Sequence, residues 1–244
     1  MTKRYWLILI SFIVMQLSTS FITAPLLIYF GYSGTMDELL GLSILITFSI
    51  GFIVILLLAI TAEPNPAFRD NKATVSETIL WVFLGIFMAY GSQILAALIE
   101  QNLFGIEPGS ENTQTIVDWA TAVPLLVIVV SILVPITEEI VFRMVIFGSL
   151  YKRFNFWIAA LLSAVIFSVV HMDFEHFLVY LAMGLVFSFL YVKTKRIIVP
   201  IMAHVGINSF VMLIQVVFGE RIQELLDQLE NIQTIVYSII GGFL

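Results

Sequence analysis

Residues 134–145 read VPITEEIVFRMV, and this stretch determines how the rest of the chain can be arranged. Apolar residues continue on both sides, so Glu138, Glu139 and Arg143 lie inside a hydrophobic helix. A charge at membrane depth is costly, so such residues normally face a protein interior and mark function. Glu139 and Arg143 are four residues apart and can pair on one helix face. Glu138 points about 100° away from that pair, which leaves it available for chemistry. Pro135 removes a backbone hydrogen bond just upstream and predicts a kink.

The composition is that of a membrane protein. The chain has 244 residues, of which 60% are hydrophobic and 11% charged, and its mean hydropathy is +1.05. Several runs of about 20 apolar residues predict many membrane spans in a single transmembrane domain over residues 1–244. The absence of cysteine excludes disulfides, thiolate nucleophiles and Cys-ligated metals. No basic cluster exceeds three cations, so no nucleic-acid partner is predicted.

The apolar runs predict an all-α bundle of seven to eight transmembrane helices with a C-terminal amphipathic helix. The first run is too long for a signal peptide, so it is interpreted as an uncleaved span. Residues 220–230 show the pattern of an interfacial amphipathic helix, and residues 232–244 are apolar but short for an eighth span. The seven predicted spans are Tyr5–Phe30, Leu39–Ile60, Thr78–Ile99, Ile116 or Pro124 to Leu150, Phe156–Met172, Phe177–Val192 and Ile197–Phe218.

The positive charges predict an orientation in a cell membrane. Lysine and arginine residues cluster near the N-terminus and in alternate loops, at residues 3–4, 69–72, 152–153 and 193–196. Cytoplasmic loops carry the excess of such residues. The pattern therefore predicts a cytoplasmic N-terminus, and it predicts the polar loop at residues 100–115, which lacks cations, on the opposite side.

The three histidines all lie in the second half of the chain. Glu139 and His171 are each 16 residues from residue 155 in the intervening turn, so they reach similar depths on antiparallel helices. His204 is four residues before Asn208 and shares its helix face, also within the membrane. A carboxylate pair, two imidazoles and an amide can therefore converge. His176 is assigned to the interface, beside a short break.

These residue types can activate water. A carboxylate and an imidazole can share the work of a general base, while a second imidazole and an amide N–H stabilise a developing oxyanion. The result would be hydrolysis without a side-chain nucleophile. Two histidines and a glutamate are also a catalytic zinc set, here Glu138, His171 and His204. The spacing leaves both alternatives open.

Three motifs resemble those of the CPBP family, which includes the type II CAAX prenyl endopeptidases and the bacteriocin-processing and immunity ("Abi") proteins. They are EExxxR at residues 138–143, FxxxH at 167–171 and HxxxN at 204–208. The resemblance covers residues 125–212, a CPBP/Abi-like catalytic core. It implies that Glu138 and His171 activate water without a metal cofactor, that His204 and Asn208 form an oxyanion hole, and that Glu139 and Arg143 support the site.

The resemblance implies an intramembrane endopeptidase of the glutamic type, with a zinc protease as the alternative mechanism. The expected partners are the lipid bilayer and a peptide or protein substrate, with lipidation of that substrate left open. The biological role would be bacteriocin maturation or self-immunity. The competing hypotheses are a non-proteolytic immunity or envelope scaffold and a proton-coupled transporter. The scaffold is disfavoured because all the motif residues are retained, and the transporter because no internal repeat is present.

Overall fold

The computed structural model describes residues 1–107 and 109–228, and these residues form helices, turns and loops without a β-strand. Two of the eight helices contain π-helical turns: α1 at Thr19–Thr23, and the motif helix α5, which spans residues 126–150. The helices are α1 (Lys3–Tyr29), α2 (Met36–Ile60), α3 (Val75–Phe104), α4 (Glu111–Ala122), α5 (126–150), α6 (Phe156–Val170), α7 (Phe177–Thr194) and α8 (Ile198–Gln228).

Polar caps set the ends of the helices that surround the motif. Thr74 begins α3 as a capping box with Glu77, and Asn155 begins α6 by accepting a hydrogen bond from the Ile158 N–H at 3.0 Å. Gly105 ends α3 in the left-handed conformation, with φ of +68°. These caps determine at which residues the neighbouring helices begin and end. They thereby determine which side chains of those helices lie beside the buried charges of α5.

The predicted polar loop at residues 100–115 is wrong in extent. Helix α3 continues to Phe104, and Ser110 caps the start of a separate helix, α4. The motif helix begins only at Leu126, after the chain bends at residues 123–125, so the Pro124 start is the closer of the two alternatives. Sequence analysis did not predict α4 as a separate helix, because its polar first turn resembles a loop.

The motif helix lies at the centre of the bundle. It contacts α1, α2, α6, α7 and α8, and seven of the nine residues in Glu139–Phe147 are buried. Two stretches, Val129–Leu133 and Glu139–Phe147, adopt the wider π-helical hydrogen-bond pattern around Pro135. π-Turns commonly occur at functional sites. In α5 the two π-helical stretches lie on either side of the α-helical turn that carries Glu138.

Close packing joins α6 and α7 beside the motif helix. A Cβ atom added at Gly184 would come within 2.7 Å of the Ala164 Cβ, so the two helices approach at a small-residue contact. From α6, the Ser163 hydroxyl donates to the Phe142 carbonyl of α5 at 2.9 Å. These contacts hold the helices that carry the predicted site residues.

The chain is an all-α, multi-pass membrane protein, as predicted. By length and composition, α1, α2, α3, α7 and residues Ile198–Gly219 of α8 are membrane spans, whereas α6 is apolar but shorter. A count of seven to eight spans stays a prediction. Helix α8 runs on to Gln228, so the predicted amphipathic segment at 220–230 starts as a continuation of the last span. Residues 229–244, including the alternative eighth span, lie outside the described residues.

Candidate active site

The Glu138 carboxylate lies between two imidazoles. Its Oε1 is 3.8 Å from the His171 Nε2, and its Oε2 is 3.7 Å from the His204 Nε2. These distances are too long for direct hydrogen bonds and suit a bridging water or a moving proton. The Glu138 side chain is 13% exposed, whereas that of Glu139 is fully buried. Of the two adjacent carboxylates, only Glu138 can meet a substrate.

Hydrogen bonds at the opposite ring nitrogen orient both histidines. The His171 Nδ1 lies 2.7 Å from the Phe167 carbonyl, and the His204 Nδ1 lies 3.0 Å from the Glu139 Oε1. Because both partners are acceptors, each Nδ1 carries the hydrogen and donates it. In the neutral form of each ring, the Nε2 lone pair then faces Glu138. This is the arrangement that a proton acceptor needs.

Arg143 is a buried counter-charge for Glu139. Its Nε is 3.1 Å from the Glu139 Oε2, close enough for an ion pair, but the angle does not meet the criteria for a hydrogen bond. We regard the contact as electrostatic, since charge attraction depends on distance far more than on angle. The guanidinium also lies over the Phe167 ring at 4.4 Å and the Phe187 ring at 5.2 Å. The Phe167 of the second motif therefore packs against a site charge.

Asn208 lies in the same cluster with much of its hydrogen-bonding capacity unused. Its Nδ2 is 3.5 Å from the Val130 carbonyl, a weak contact, and its buried Oδ1 has no hydrogen-bond partner among the described residues. Leaving a buried polar atom unsatisfied costs about 1–3 kcal/mol, so such atoms usually serve a ligand or a water. The amide can turn toward a bound group at little cost.

A cavity of about 260 Å³ opens beside these groups, and residues from seven helices line it. Glu138, His171, His204 and Asn208 all line it. Gln16, Asn112 and Tyr180 add polar atoms to the lining, and none of these three residues belongs to a sequence motif that predicted the site. The remaining lining residues are apolar or aromatic: Ile44, Phe48, Ile116, Trp119, Leu126, Val130, Val134, Phe167, Val170 and Met183.

The charges of the cluster do not balance when both imidazoles are neutral. Two carboxylates face one guanidinium, which leaves one excess negative charge among largely dry side chains. Burying an uncompensated charge is unfavourable. One proton, held by either Glu138 or His204, makes the cluster neutral. The same proton is then available for transfer during a reaction.

The donor types would suit zinc, since each neutral Nε2 lone pair faces Glu138 while an oxygen holds the Nδ1 hydrogen. Their spacing is less suitable. Among residues 1–107 and 109–228, no group of three or more His, Asp or Glu side chains is arranged to hold a metal ion.

His176 stands apart from this cluster. Its Nδ1 is 3.2 Å from the Glu100 Oε2 and its Nε2 is 2.8 Å from the Gly109 carbonyl. Both ring nitrogens face acceptors, so the imidazole satisfies both only when it is doubly protonated. Burial lowers the pKa of His176, but its bonds to Glu100 and Gly109 outweigh this and raise it overall. This histidine fastens the turn before α7 to the end of α3.

Comparisons with known proteins agree with this architecture. A family model described as type II CAAX prenyl endopeptidase Rce1-like matches residues 119–210. The chain is 44% identical over 248 residues to a putative membrane peptidase, YdiL, of Bacillus subtilis (strain 168), and the match covers 99% of each chain. It is 33% identical over 191 residues to the membrane-embedded CAAX protease MroQ of Staphylococcus aureus (strain USA300), covering 75% of this chain and 77% of that one. No solved structure gave a significant match.

The fold and these relatives define a multi-pass membrane protease that acts on peptide or protein substrates. More particularly, the chain belongs to the Rce1-like family of type II CAAX prenyl endopeptidases. The family resemblance carried by the three motifs is thereby confirmed.

Proposed function

We propose that this protein is a glutamic intramembrane endopeptidase in which Glu138 and His171 activate a water molecule. The observation that carries the proposal is the convergence of the Glu138 carboxylate with two imidazole Nε2 atoms, at 3.7 and 3.8 Å, on one apolar cavity. A general base must lie within hydrogen-bond reach of its water, and both gaps suit a bridging water. The catalytic core would lie within residues 125–212.

The reaction needs no covalent intermediate. Glu138 takes a proton from water while the water oxygen forms a bond to the scissile carbonyl carbon, with His171 orienting that water. His204 and the Asn208 amide then donate hydrogen bonds to the oxyanion. Glu138 next passes its proton to the departing nitrogen, the C–N bond breaks, and a carboxylic acid and an amine are released.

His204 can donate from its Nε2 only while it holds the extra proton of the cluster. Its Nδ1 hydrogen already bonds to the Glu139 Oε1 at 3.0 Å, so the neutral ring has no hydrogen on Nε2. The buried negative charge of Glu139 stabilises the imidazolium form. Arg143 in turn balances Glu139 at 3.1 Å. Glu139 and Arg143 would thus act through His204 rather than on the substrate.

The lining of the cavity favours an apolar segment of the substrate. Ten of its seventeen lining residues are apolar or aromatic without a site role, and such surfaces bind apolar groups. The names of the relatives add a CAAX sequence as a first probe, with or without a prenyl group. Bacteriocin maturation and self-immunity are two biological roles that a peptidase of this kind can fulfil. The cation pattern supports a cytoplasmic N-terminus.

The proposal is tested with purified protein in detergent and internally quenched peptides that end in a CAAX sequence, farnesylated or not. The wild type should cleave at least one of them, and His171→Ala should abolish the cleavage. A folded wild type that cleaves no peptide in a broad library would favour the non-proteolytic scaffold. If a chelator silenced the wild type and zinc restored it, the metal mechanism would replace this one, with Glu138, His171 and His204 as ligands.

A further inference from the structure

Helix α7 carries none of the three motifs, yet it places one aromatic ring against each histidine of the site. The Tyr180 ring stacks on His171 with centroids 4.1 Å apart and planes 28° apart. The Phe187 ring stacks on His204 at 4.8 Å and 27°. Both aromatic residues are almost completely buried. Tyr180 and Phe187 are seven residues apart, so two helical turns bring them to the same face of α7.

Stacking supplies a restraint that the hydrogen bonds lack. Each imidazole is attached at Cβ and held at Nδ1 by one acceptor, at 2.7 Å for His171 and 3.0 Å for His204. A ring held at one edge can still tilt about that edge. An aromatic plane packed on its face removes the tilt and directs Nε2 toward Glu138. Misplacement of a reacting group by about 1 Å can cost roughly 10²-fold in rate.

Both aromatic rings are themselves fixed in place. The Tyr180 hydroxyl donates to the Asp173 Oδ2 at 3.5 Å, and the Ser110 hydroxyl at the start of α4 donates to the same oxygen at 2.7 Å. The Phe187 ring lies under the Arg143 guanidinium at 5.2 Å. Each histidine therefore rests on a ring that a second helix restrains. A line of contacts runs from Ser110 through Asp173 and Tyr180 to His171.

We infer that Tyr180 and Phe187 are positioning residues of this protease, which set the orientation of His171 and His204 toward Glu138. The inference rests on the proposed hydrolytic function, and it assigns the α7 face to catalysis rather than to packing alone. The rings contact the histidines and need not contact the substrate. Removal of either ring should therefore lower kcat, and removal of the Phe187 ring, which is outside the cavity lining, should leave KM nearly unchanged.

The kinetic test compares Tyr180→Leu with Tyr191→Leu. Tyr191 is a matched control, because it is a buried tyrosine on the same helix that stacks on Phe68 at 4.0 Å, outside the cavity lining. Tyr180→Leu should lower kcat by about 10- to 100-fold, and Tyr180→Phe should restore most of it because the ring is kept. Tyr191→Leu should reduce stability but keep the kcat of the folded enzyme. Equal kcat values for the two leucine variants would overturn the inference.

A spectroscopic test reads the ring geometry directly. The chain has only three histidines, so NMR spectra of histidine-labelled protein in micelles can be assigned by substitution. Loss of a stacked ring removes its ring-current shift from the imidazole beneath it. Tyr180→Leu should move the His171 signals and leave those of His204, and Phe187→Leu should do the reverse. Unmoved signals of the facing histidine would overturn the inference.

Different results would overturn the proposed function and the positioning role. A wild type that cleaves no peptide overturns the proposed function, and with it the positioning role, whatever the spectra show. A wild type that cleaves, with Tyr180→Leu as fast as Tyr191→Leu, overturns only the positioning role.

Discussion

Replacing Glu139 by glutamine tests how the buried charges hold the bundle together. The change keeps the shape of the side chain, and its amide oxygen can still accept the His204 hydrogen. It leaves the fully buried Arg143 guanidinium without the carboxylate that lies 3.1 Å away. None of the guanidinium nitrogens has a hydrogen-bond partner in the described residues, and in the variant the charge would still lie against the two phenylalanine rings.

Breaking a buried pair in this way costs about 3–5 kcal/mol, a large part of the roughly 5–15 kcal/mol that stabilises a typical domain. At about 2–4 °C for each kcal/mol, the melting temperature should fall by roughly 6–20 °C. The protein yield from membranes should fall with it. Thermal unfolding in detergent, followed by size-exclusion chromatography, measures the shift.

Two further variants make the interpretation specific. Glu63→Gln is the control, because Glu63 is exposed and the same chemical change there should shift the melting temperature little. The double variant Glu139→Gln with Arg143→Met removes the orphaned charge and should recover much of the loss. A Glu139→Gln protein that melts within about 2 °C of the wild type would refute the reasoning, since the guanidinium would then need no counter-charge.

Three other predictions address the site, the orientation and the pH dependence. Asn208→Ala should retain a trace of cleavage, because losing one oxyanion donor costs about 10² to 10³ in rate; an unchanged kcat would exclude that role. Cysteines placed singly at the exposed Glu63 and Glu107 should react with impermeant reagents from opposite sides of the membrane, and labelling from one side would refute the orientation. The bond to Glu100 and the raised pKa of His176 stabilise the fold fully below the unfolded value of 6.5, and this stability is lost as pH rises through the folded pKa. The melting temperature should therefore fall as pH rises above 6.5, and His176→Gln should remove that part of the dependence.

The sequence predicted the parts of the site that follow from helical periodicity. The spacing of four residues predicted that Arg143 lies on the same helix face as Glu139. Because Glu139 and His171 are each 16 residues from the turn at residue 155, the sequence also predicted that His171 lies at the depth of the two glutamates. Regular helices make such distances calculable, since each residue adds about 1.5 Å. The catalytic roles of these residues stay predictions.

Periodicity could not predict contacts that depend on how separate helices pack. The stacking of Tyr180 on His171 joins two helices through a turn in which Met172 adopts a left-handed backbone, with φ of +57°. The link from Ser110 to Asp173, at 2.7 Å, joins residues 63 positions apart. In an apolar sequence, aromatic residues at these positions look like any other lipid-facing or core residue. The π-helical turns of α5 likewise break the regular spacing on which sequence reasoning depends.

The central claim is that Glu138 is the general base, and the rate of Glu138→Gln tests it most directly. Because Glu138 is not the partner of Arg143 and its side chain is 13% exposed, the isosteric amide should leave the melting temperature near that of the wild type. With saturating peptide and folded, purified protein, kcat should fall by about 10² to 10⁴, the usual contribution of a general base. A Glu138→Gln enzyme that cleaves at the wild-type rate would contradict the account.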